Sequence, residues 1–291
     1  MSDPNLVPRS REPAVDDGDE WPWVLRISPR TVVWATLGWL AIAGILFLLV
    51  DIVGLVDIGL GQPLWERLYN KGPVEWTQWF FLALAIVAAA YLGGRLHEEG
   101  RTDSVRPHAA RFFVLLSLGL GFMLIEEAGD IRHEISAGVM WLFGQEIFGL
   151  PHRVVTDVPY FALLAALPMY AVLRYGRHVW ASTRTRPYLA GGVLLYAIVG
   201  SSNGLRHLGD HYIRMGAWLD RVLLGGRFPV PEGMTQERAH FYVMDAVVEE
   251  SVELMAAALL LAAVLAFAAD MRQRQTARAI TGTEEQGGRV S

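Results

Sequence analysis

Six long apolar stretches, separated by polar segments, dominate the chain. Each is close to the roughly 20 residues that a helix needs to cross the hydrocarbon core of a bilayer. Hydrophobic residues make up 53% of the sequence. The pattern therefore predicts an all-α, polytopic membrane helix bundle with about six transmembrane helices rather than a soluble enzyme. In chain order the predicted spans are 31–53, 75–95, 109–127, 158–173, 188–204 and 242–269.

The segments outside these spans set the predicted domain organisation and orientation. Residues 1–22 and 271–291 are polar, and we predict them to be disordered cytoplasmic tails on either side of one transmembrane domain, 23–270. The second and fourth loops each carry four arginines, which places them in the cytoplasm by the positive-inside rule. Both termini are then cytoplasmic, in a multi-pass protein of the plasma (inner) membrane.

Two features of the composition exclude classes of function. The chain has no cysteine, which rules out disulfides, thiolate metal sites, Fe–S clusters and cysteine nucleophiles. Its formal net charge of −5 gives no reason to expect nucleic-acid binding. The partners expected from the composition are membrane lipids, with a hydrophobic small molecule as a candidate substrate, and nothing in the sequence indicates an oligomeric state.

Ionisable residues are concentrated at the ends of the third, fifth and sixth spans that lie on one predicted side, the outer side. The stretch "LIEEAGDIRHEI" (124–135) directly follows the apolar part of the third span. A charged side chain at the centre of a bilayer costs roughly 2.5–3.5 kcal/mol on insertion scales, so ionisable residues within spans are functional candidates by default. The residues concerned are Glu126, Glu127, Asp130, Arg132, His133, Glu134, His207, Asp245, Glu249, Glu250 and Glu253.

Helical phase predicts how these side chains are oriented. At about 100° per residue, the acids and His133 that end the third span share one face, and Arg132 points away from them. Asp245, Glu249 and Glu253 are four residues apart and form one stripe on the last span. Because so many acids cannot face lipid, we expect the third, fifth and sixth spans to be mutual neighbours.

Crowded carboxylates cannot all remain ionised without compensation, so either several are protonated or a cation lies among them. Oxygen and imidazole ligands without sulfur suit Zn, Fe or Mn, and carboxylates and histidines from several helices build di-iron sites. The sequence thus predicts a divalent metal. The predicted ligands are Glu126, Asp130, His133, His207, Glu250 and Glu253. Glu127 and Glu249 are the predicted catalytic acid and base.

These observations predict a metal-dependent enzyme, a hydrolase or a di-metal oxidase, that acts on a lipid-like or hydrophobic substrate near the outer face. An alternative is a proton- or cation-coupled transporter or channel-like protein, in which the acids bind the coupling ion. A third is a structural subunit of a larger membrane complex.

Three sequence boxes resemble a loosely defined group of uncharacterised multi-pass bacterial membrane proteins. They are "PVEW" (73–76), "EEAGDIRHE" (126–134) and "EESVEL" (249–254), that is, an acidic and histidine box that ends helix 3 and an EExxE box in the last helix. The resemblance implies the six-helix architecture and no particular activity.

A weaker resemblance is to the transmembrane zinc amidases that cleave ceramides, which use Ser, Asp and three His near one membrane face. The residues in this sequence that correspond by type are Ser202, Asp210, His133, His207 and His211. The spacings differ from the pattern of that family, and the surplus of carboxylates is foreign to it.

Overall fold

The computed structural model describes residues 21–55, 62–99 and 106–287, and these are almost entirely helical. Within them the α-helices are α1 (Pro29–Phe47), α2 (Leu64–Tyr69), α3 (Pro73–Glu99), α4 (Arg106–Gly129), α5 (Ile131–Phe143), α6 (His152–Trp180), α7 (Arg186–Leu205), α8 (His211–Leu219), α9 (Gln236–Tyr242) and α10 (Glu249–Gly287). Two strands, β1 (Glu146–Ile147) and β2 (Leu150–Pro151), pair in an antiparallel manner before α6. The predicted all-α class is therefore confirmed apart from this short pair.

Six helical segments are long and apolar enough to cross a membrane, as the sequence predicted. They are Pro29–Ile52, Leu64–Glu99, Pro107–Gly129, His152–Trp180, Arg186–Leu205 and Gln236–Ala277. The predicted tail 1–22 lies outside the described residues except for Trp21 and Pro22. Helix α10 continues to Gly287, through a polar stretch rich in the helix formers Arg, Gln and Ala, and the disorder of the tail 271–291 stays a prediction.

Five long helices form a closed ring. Helix α10 packs on α3 and α7, α3 packs on α4, α4 packs on α6, and α6 packs on α7. Helix α1 packs on α10 from outside this ring. Helix α10 is the most buried of the six apolar segments, and Ala257, Ala258 and Leu261 are almost inaccessible. Small residues at such positions allow the helix axes to approach closely.

Glycines mark the closest approaches between helices of the ring. A β-carbon placed on Gly192 of α7 would lie 3.1 Å from the backbone nitrogen of Leu260 of α10. One on Gly93 of α3 would lie 3.2 Å from the backbone nitrogen of Val114 of α4. Contacts of this kind hold helices together by van der Waals packing where the surrounding lipid offers no hydrophobic driving force.

The two ends of the bundle differ in chemistry. Helices α4 and α7 end, and helices α3 and α6 begin, at the same end of the bundle. We call this the acidic end and the opposite one the arginine end. At the arginine end, Ser182 donates a 2.7 Å hydrogen bond to Asp270, and the guanidinium of Arg95 lies 4.1 Å above the ring of Trp21. These contacts attach the chain segments before α1 and after α6 to the long helices.

The short helices α2, α5, α8 and α9 all lie at the acidic end, in the connections between long helices. Several of their apolar side chains are exposed, among them Trp141, Phe143 and Trp218. π-Helical turns at 220–224 and 243–248 continue α8 and precede α10. Exposed aromatic side chains on short amphipathic helices are typical of a membrane–water interface.

The positive-inside rule predicts which end of the bundle faces the cytoplasm, and two exposed residues allow this orientation to be tested. Because the chain has no cysteine, Glu232→Cys at the acidic end and Thr183→Cys at the arginine end each introduce a single thiol. Both positions are exposed. We expect a membrane-impermeant maleimide to label Glu232→Cys in intact cells, and to label Thr183→Cys only after permeabilisation. The reverse pattern would place the acidic end in the cytoplasm.

Candidate functional site

A cavity of about 500 Å³ lies inside the ring of helices. Its walls come from α4, α6, α7 and α10, and over most of their length they are apolar. The apolar side chains include Leu116, Leu120, Met123, Phe161, Val172, Val193 and Leu260. Polar side chains enter the cavity near the acidic end, where Glu126, Glu127, Asn203 and Glu253 contribute to its lining. The sequence predicted that α4, α7 and α10 would be mutual neighbours. Helix α7 packs on α10, and α4 faces them across the cavity.

The carboxylate of Glu253 is held by two amides from neighbouring helices. Gln78 of α3 donates to one oxygen at 2.9 Å, and Asn203 of α7 donates to the other at 3.3 Å. Glu253 is 5% exposed and Gln78 is fully buried. Because each amide donor satisfies one oxygen, the orientation of this carboxylate in the cavity wall is fixed.

Glu126 is bound by Tyr160 of α6 and by Arg132, which the sequence predicted to point away from the acids. Its carboxylate accepts a hydrogen bond from the hydroxyl of Tyr160 and another, at 3.2 Å, from the backbone nitrogen of Arg132. The Arg132 side chain lies 3.8 Å from Glu126 and 3.7 Å from Asp157. The prediction that Arg132 points away from the acids was wrong. Asp130 adopts a left-handed conformation, φ 51°, between α4 and α5, so the helical phase counted through it does not apply.

The same break removes two predicted metal ligands from the cavity. Asp130 and His133 pair with each other at the surface, where their side chains are 43% and 46% exposed. The Nζ atom of Lys71 lies 3.4 Å from Asp130. A third predicted ligand, His207, follows the end of α7 and lies 3.4 Å from a guanidinium nitrogen of Arg153.

The glutamates at the start of α10 have different surroundings. Glu249 is buried and accepts a 3.0 Å hydrogen bond from Tyr212, whose hydroxyl lies 2.7 Å from that of Ser202. Burial and the nearby Glu249 raise the pKa of Tyr212. Glu250 has one buried carboxylate oxygen with no hydrogen-bond partner in the described part of the chain. It interacts electrostatically with Glu253 and Glu127.

We name the acids that meet here the carboxylate cluster, and its members are Glu75, Glu126, Glu127, Glu249, Glu250 and Glu253. The guanidinium groups buried beside it belong to Arg132 and Arg206. Arg132 also forms an ion pair with Asp157, and Arg206 forms one with Asp245. Negative charge therefore exceeds positive charge, and several carboxylates must be protonated or neutralised by a cation. Asp245 itself lies in the π-helical turn, which alters the predicted i, i+4 phase between it and Glu249.

The structure does not bring the six predicted metal ligands together. Glu126, Glu250 and Glu253 belong to the carboxylate cluster, whereas the other three, Asp130, His133 and His207, lie outside it. Among the described residues, no group of three or more carboxylate and imidazole side chains is arranged to hold a metal ion. The arrangement therefore does not support the predicted metal site, and the roles of Glu127 and Glu249 stay predictions.

Sequence reasoning missed several side chains that complete the site. Gln78, Tyr160 and Tyr212 each donate a hydrogen bond to a glutamate of the cluster. Tyr196 also lines the cavity. A signal existed for Gln78, because it is a polar side chain inside a span, one helical turn after Glu75. Tyr160 and Tyr212 carried no such signal, because tyrosine is common at the ends of membrane helices.

No family model, no curated protein and no solved structure matches the chain. The site is therefore interpreted from its geometry. The resemblance to the group of bacterial membrane proteins stays a prediction.

The charge surplus predicts the effect of Glu250→Gln. This change keeps the shape of the side chain and removes one ionisable group from the crowded cluster, so we expect thermal stability in detergent to stay equal or to rise. Glu134→Gln, on the exposed face of α5, is the matched control and should have no effect. The measurement is the melting temperature of both variants and of the parent protein, with and without a chelator.

A bound divalent ion would give the opposite sign. In that case chelation lowers the melting temperature of the parent protein, and Glu250→Gln loses the ligand-dependent stability, about 3 kcal/mol at a metal concentration one hundred times Kd. That outcome, together with metal in elemental analysis of the purified protein, would contradict the protonated cluster.

Proposed function

We propose that the chain is a multi-pass membrane protein that binds a hydrophobic, lipid-like molecule in the cavity, with its polar group against the carboxylate cluster. One observation carries the proposal: an apolar cavity of about 500 Å³ ends at buried carboxylates that outnumber their cations. This volume lies within the range of about 300–1,000 Å³ that is usual for small-molecule sites. An apolar body and a hydrogen-bonding or cationic head would complement the two parts of the cavity.

The position of the cavity supports entry from the bilayer. Several residues that line it on α6 and α7 are also exposed, including Val158, Met169 and Leu205. The gap between these two helices would face lipid in a membrane. Towards the arginine end, by contrast, the lining is apolar, with Leu116 and Leu260 among its residues. A one-sided pocket of this kind favours a binding protein or an enzyme over a continuous polar pathway.

The cluster also offers acid–base chemistry. A carboxylic acid in contact with a bound molecule donates a proton, and a carboxylate accepts one. Glu127 and Glu253 both line the cavity, but Gln78 and Asn203 hold Glu253 in place. We therefore assign proton transfer to Glu127 and positioning to Glu253. Glu249, the other residue predicted to be catalytic, accepts a hydrogen bond from Tyr212, and we assign it a structural role in the cluster. The predicted dependence of this chemistry on a metal ion is tested by the chelation experiment on Glu250→Gln described above.

A cavity-filling substitution tests whether the cavity is the binding site. Gly200 lines the cavity, and no atom lies within 4 Å of a β-carbon placed there, so Gly200→Leu projects a side chain into the open space. Gly38→Leu is the matched control, since Gly38 on α1 is exposed and has the same free surroundings. We expect native mass spectrometry after mild detergent extraction to show a hydrophobic molecule on the parent protein and on Gly38→Leu. Its occupancy should fall about tenfold, or about 1.4 kcal/mol, in Gly200→Leu. Equal occupancy in both variants would contradict the proposal.

Proton coupling is a second candidate, favoured by the surplus of mutually interacting carboxylates. Glu127 and Glu250 interact electrostatically with each other and with Glu75. In a membrane protein such chains of acids serve as proton relays. Protein reconstituted into liposomes with a pH gradient, followed by an internal pH-sensitive dye, would then dissipate the gradient faster than empty liposomes. Glu250→Gln would slow this flux and Glu134→Gln would not. A rate equal to that of empty liposomes would exclude the relay.

A further inference from the structure

A second pocket, of about 570 Å³, lies outside the carboxylate cluster at the acidic end. Residues from five parts of the chain line it: α5, the start of α6, the turn after α7, α8, and the segment from Thr235 to Asp245. Its charged and imidazole side chains are His133, Arg153, Arg206, His207, Glu237, Arg238 and Asp245. This outer pocket contains three of the guanidinium groups of the protein, and the cavity inside the ring contains none.

The pairing of these charges leaves positive charge available. Asp245 forms an ion pair with Arg206, so these two groups neutralise each other. The other two guanidinium groups contact neutral partners. Arg153 lies 3.4 Å from the Nε2 atom of His207, and Arg238 lies 3.5 Å from the hydroxyl of Tyr242. Both arginines are exposed at the pocket, opposed only by Glu237 among its lining residues.

His207 adds a neutral hydrogen-bond donor to this lining. Burial, together with the charges of Arg206 and Arg153, lowers its pKa to about 3, so the imidazole is uncharged near neutral pH. Arginine only donates hydrogen bonds, so Nε2 of His207 is the acceptor in the contact with Arg153 and the ring proton lies on Nδ1. The ring stacks on Phe241 at 5.8 Å, which fixes its plane. Positive surroundings of this kind oppose a divalent cation and favour an anion.

We infer that the outer pocket binds a phosphate-type oxyanion, with Arg153 and Arg238 as the residues that carry the binding. Planar guanidinium groups donate paired hydrogen bonds to such oxygens, which gives both strength and orientation. The source of the oxyanion is either the head group of a membrane phospholipid or a dissolved phosphate compound, because the pocket lies at the end of the membrane-length helices. The inference does not depend on what the inner cavity holds.

Binding measurements on two variants and a control test this inference. The variants are Arg153→Gln and Arg238→Gln, both at exposed positions, where loss of the charge leaves the buried structure unchanged. The control is Arg221→Gln, an exposed arginine at the same end that does not line the pocket. The probes are inorganic phosphate at constant ionic strength and phosphatidylglycerol in mixed micelles. The readouts are isothermal titration calorimetry and the shift in melting temperature with probe concentration.

We expect the parent protein and Arg221→Gln to bind at least one probe, and each pocket variant to bind it about tenfold more weakly, the effect of one lost charge-assisted hydrogen bond. Binding of phosphate alone identifies a dissolved anion, and binding of phosphatidylglycerol with little response to phosphate identifies a lipid head group. Failure of both probes on the parent protein overturns the inference. So does equal affinity in all three variants, which would indicate general charge attraction.

Discussion

The placement of more carboxylates than cations inside an apolar helix bundle is the constraint on which the rest of the structure depends. An unpaired charge in a low-dielectric interior is costly, so each acid requires a donor, a cation or a proton. The donors come from several helices, and they connect those helices to one another. Glu253 of α10 joins α3 through Gln78 and α7 through Asn203. Glu126 of α4 joins α6 through Tyr160. The ring therefore closes around its polar end as well as along its apolar length.

Two arginines separate regions of opposite charge at this end. Arg132 lies between Glu126 and Asp157, and Arg206 lies between Asn203 and Asp245. On the inner side of these arginines the cavity wall carries carboxylates, and on the outer side the pocket carries guanidinium groups. Under the two proposals, a molecule at the inner site would be recognised by its donors or positive charge, and one at the outer site by its negative charge. The two proposed sites would therefore select different chemical groups although they are neighbours.

The shape of the cavity connects this electrostatic arrangement to the proposed function. Its apolar part would exclude water from the carboxylates, which strengthens electrostatic interactions with a bound polar group. Glu127 is the acid of the cluster that lines the cavity without a fixed amide partner, which is the arrangement required of a group that exchanges a proton. Glu253, which accepts a hydrogen bond at each oxygen, and Glu249, which accepts one from Tyr212, would instead preserve the geometry.

The sequence by itself determined the number of long helices, their approximate bounds and the end at which ionisable residues gather. These follow from hydrophobic runs whose length is set by the bilayer, a local property of the chain. It also grouped Glu126, Glu127, Glu249, Glu250 and Glu253, because helical phase holds within each helix and so many acids cannot face lipid. Only the tertiary structure decided the position of Arg132, Asp130 and His133. The left-handed residue between α4 and α5 turns the chain there, and helical phase cannot be extended across such a break. It likewise decided that His207 lies among arginines rather than carboxylates, because that contact depends on how α6, α7 and α9 meet and on no pattern within any one of them.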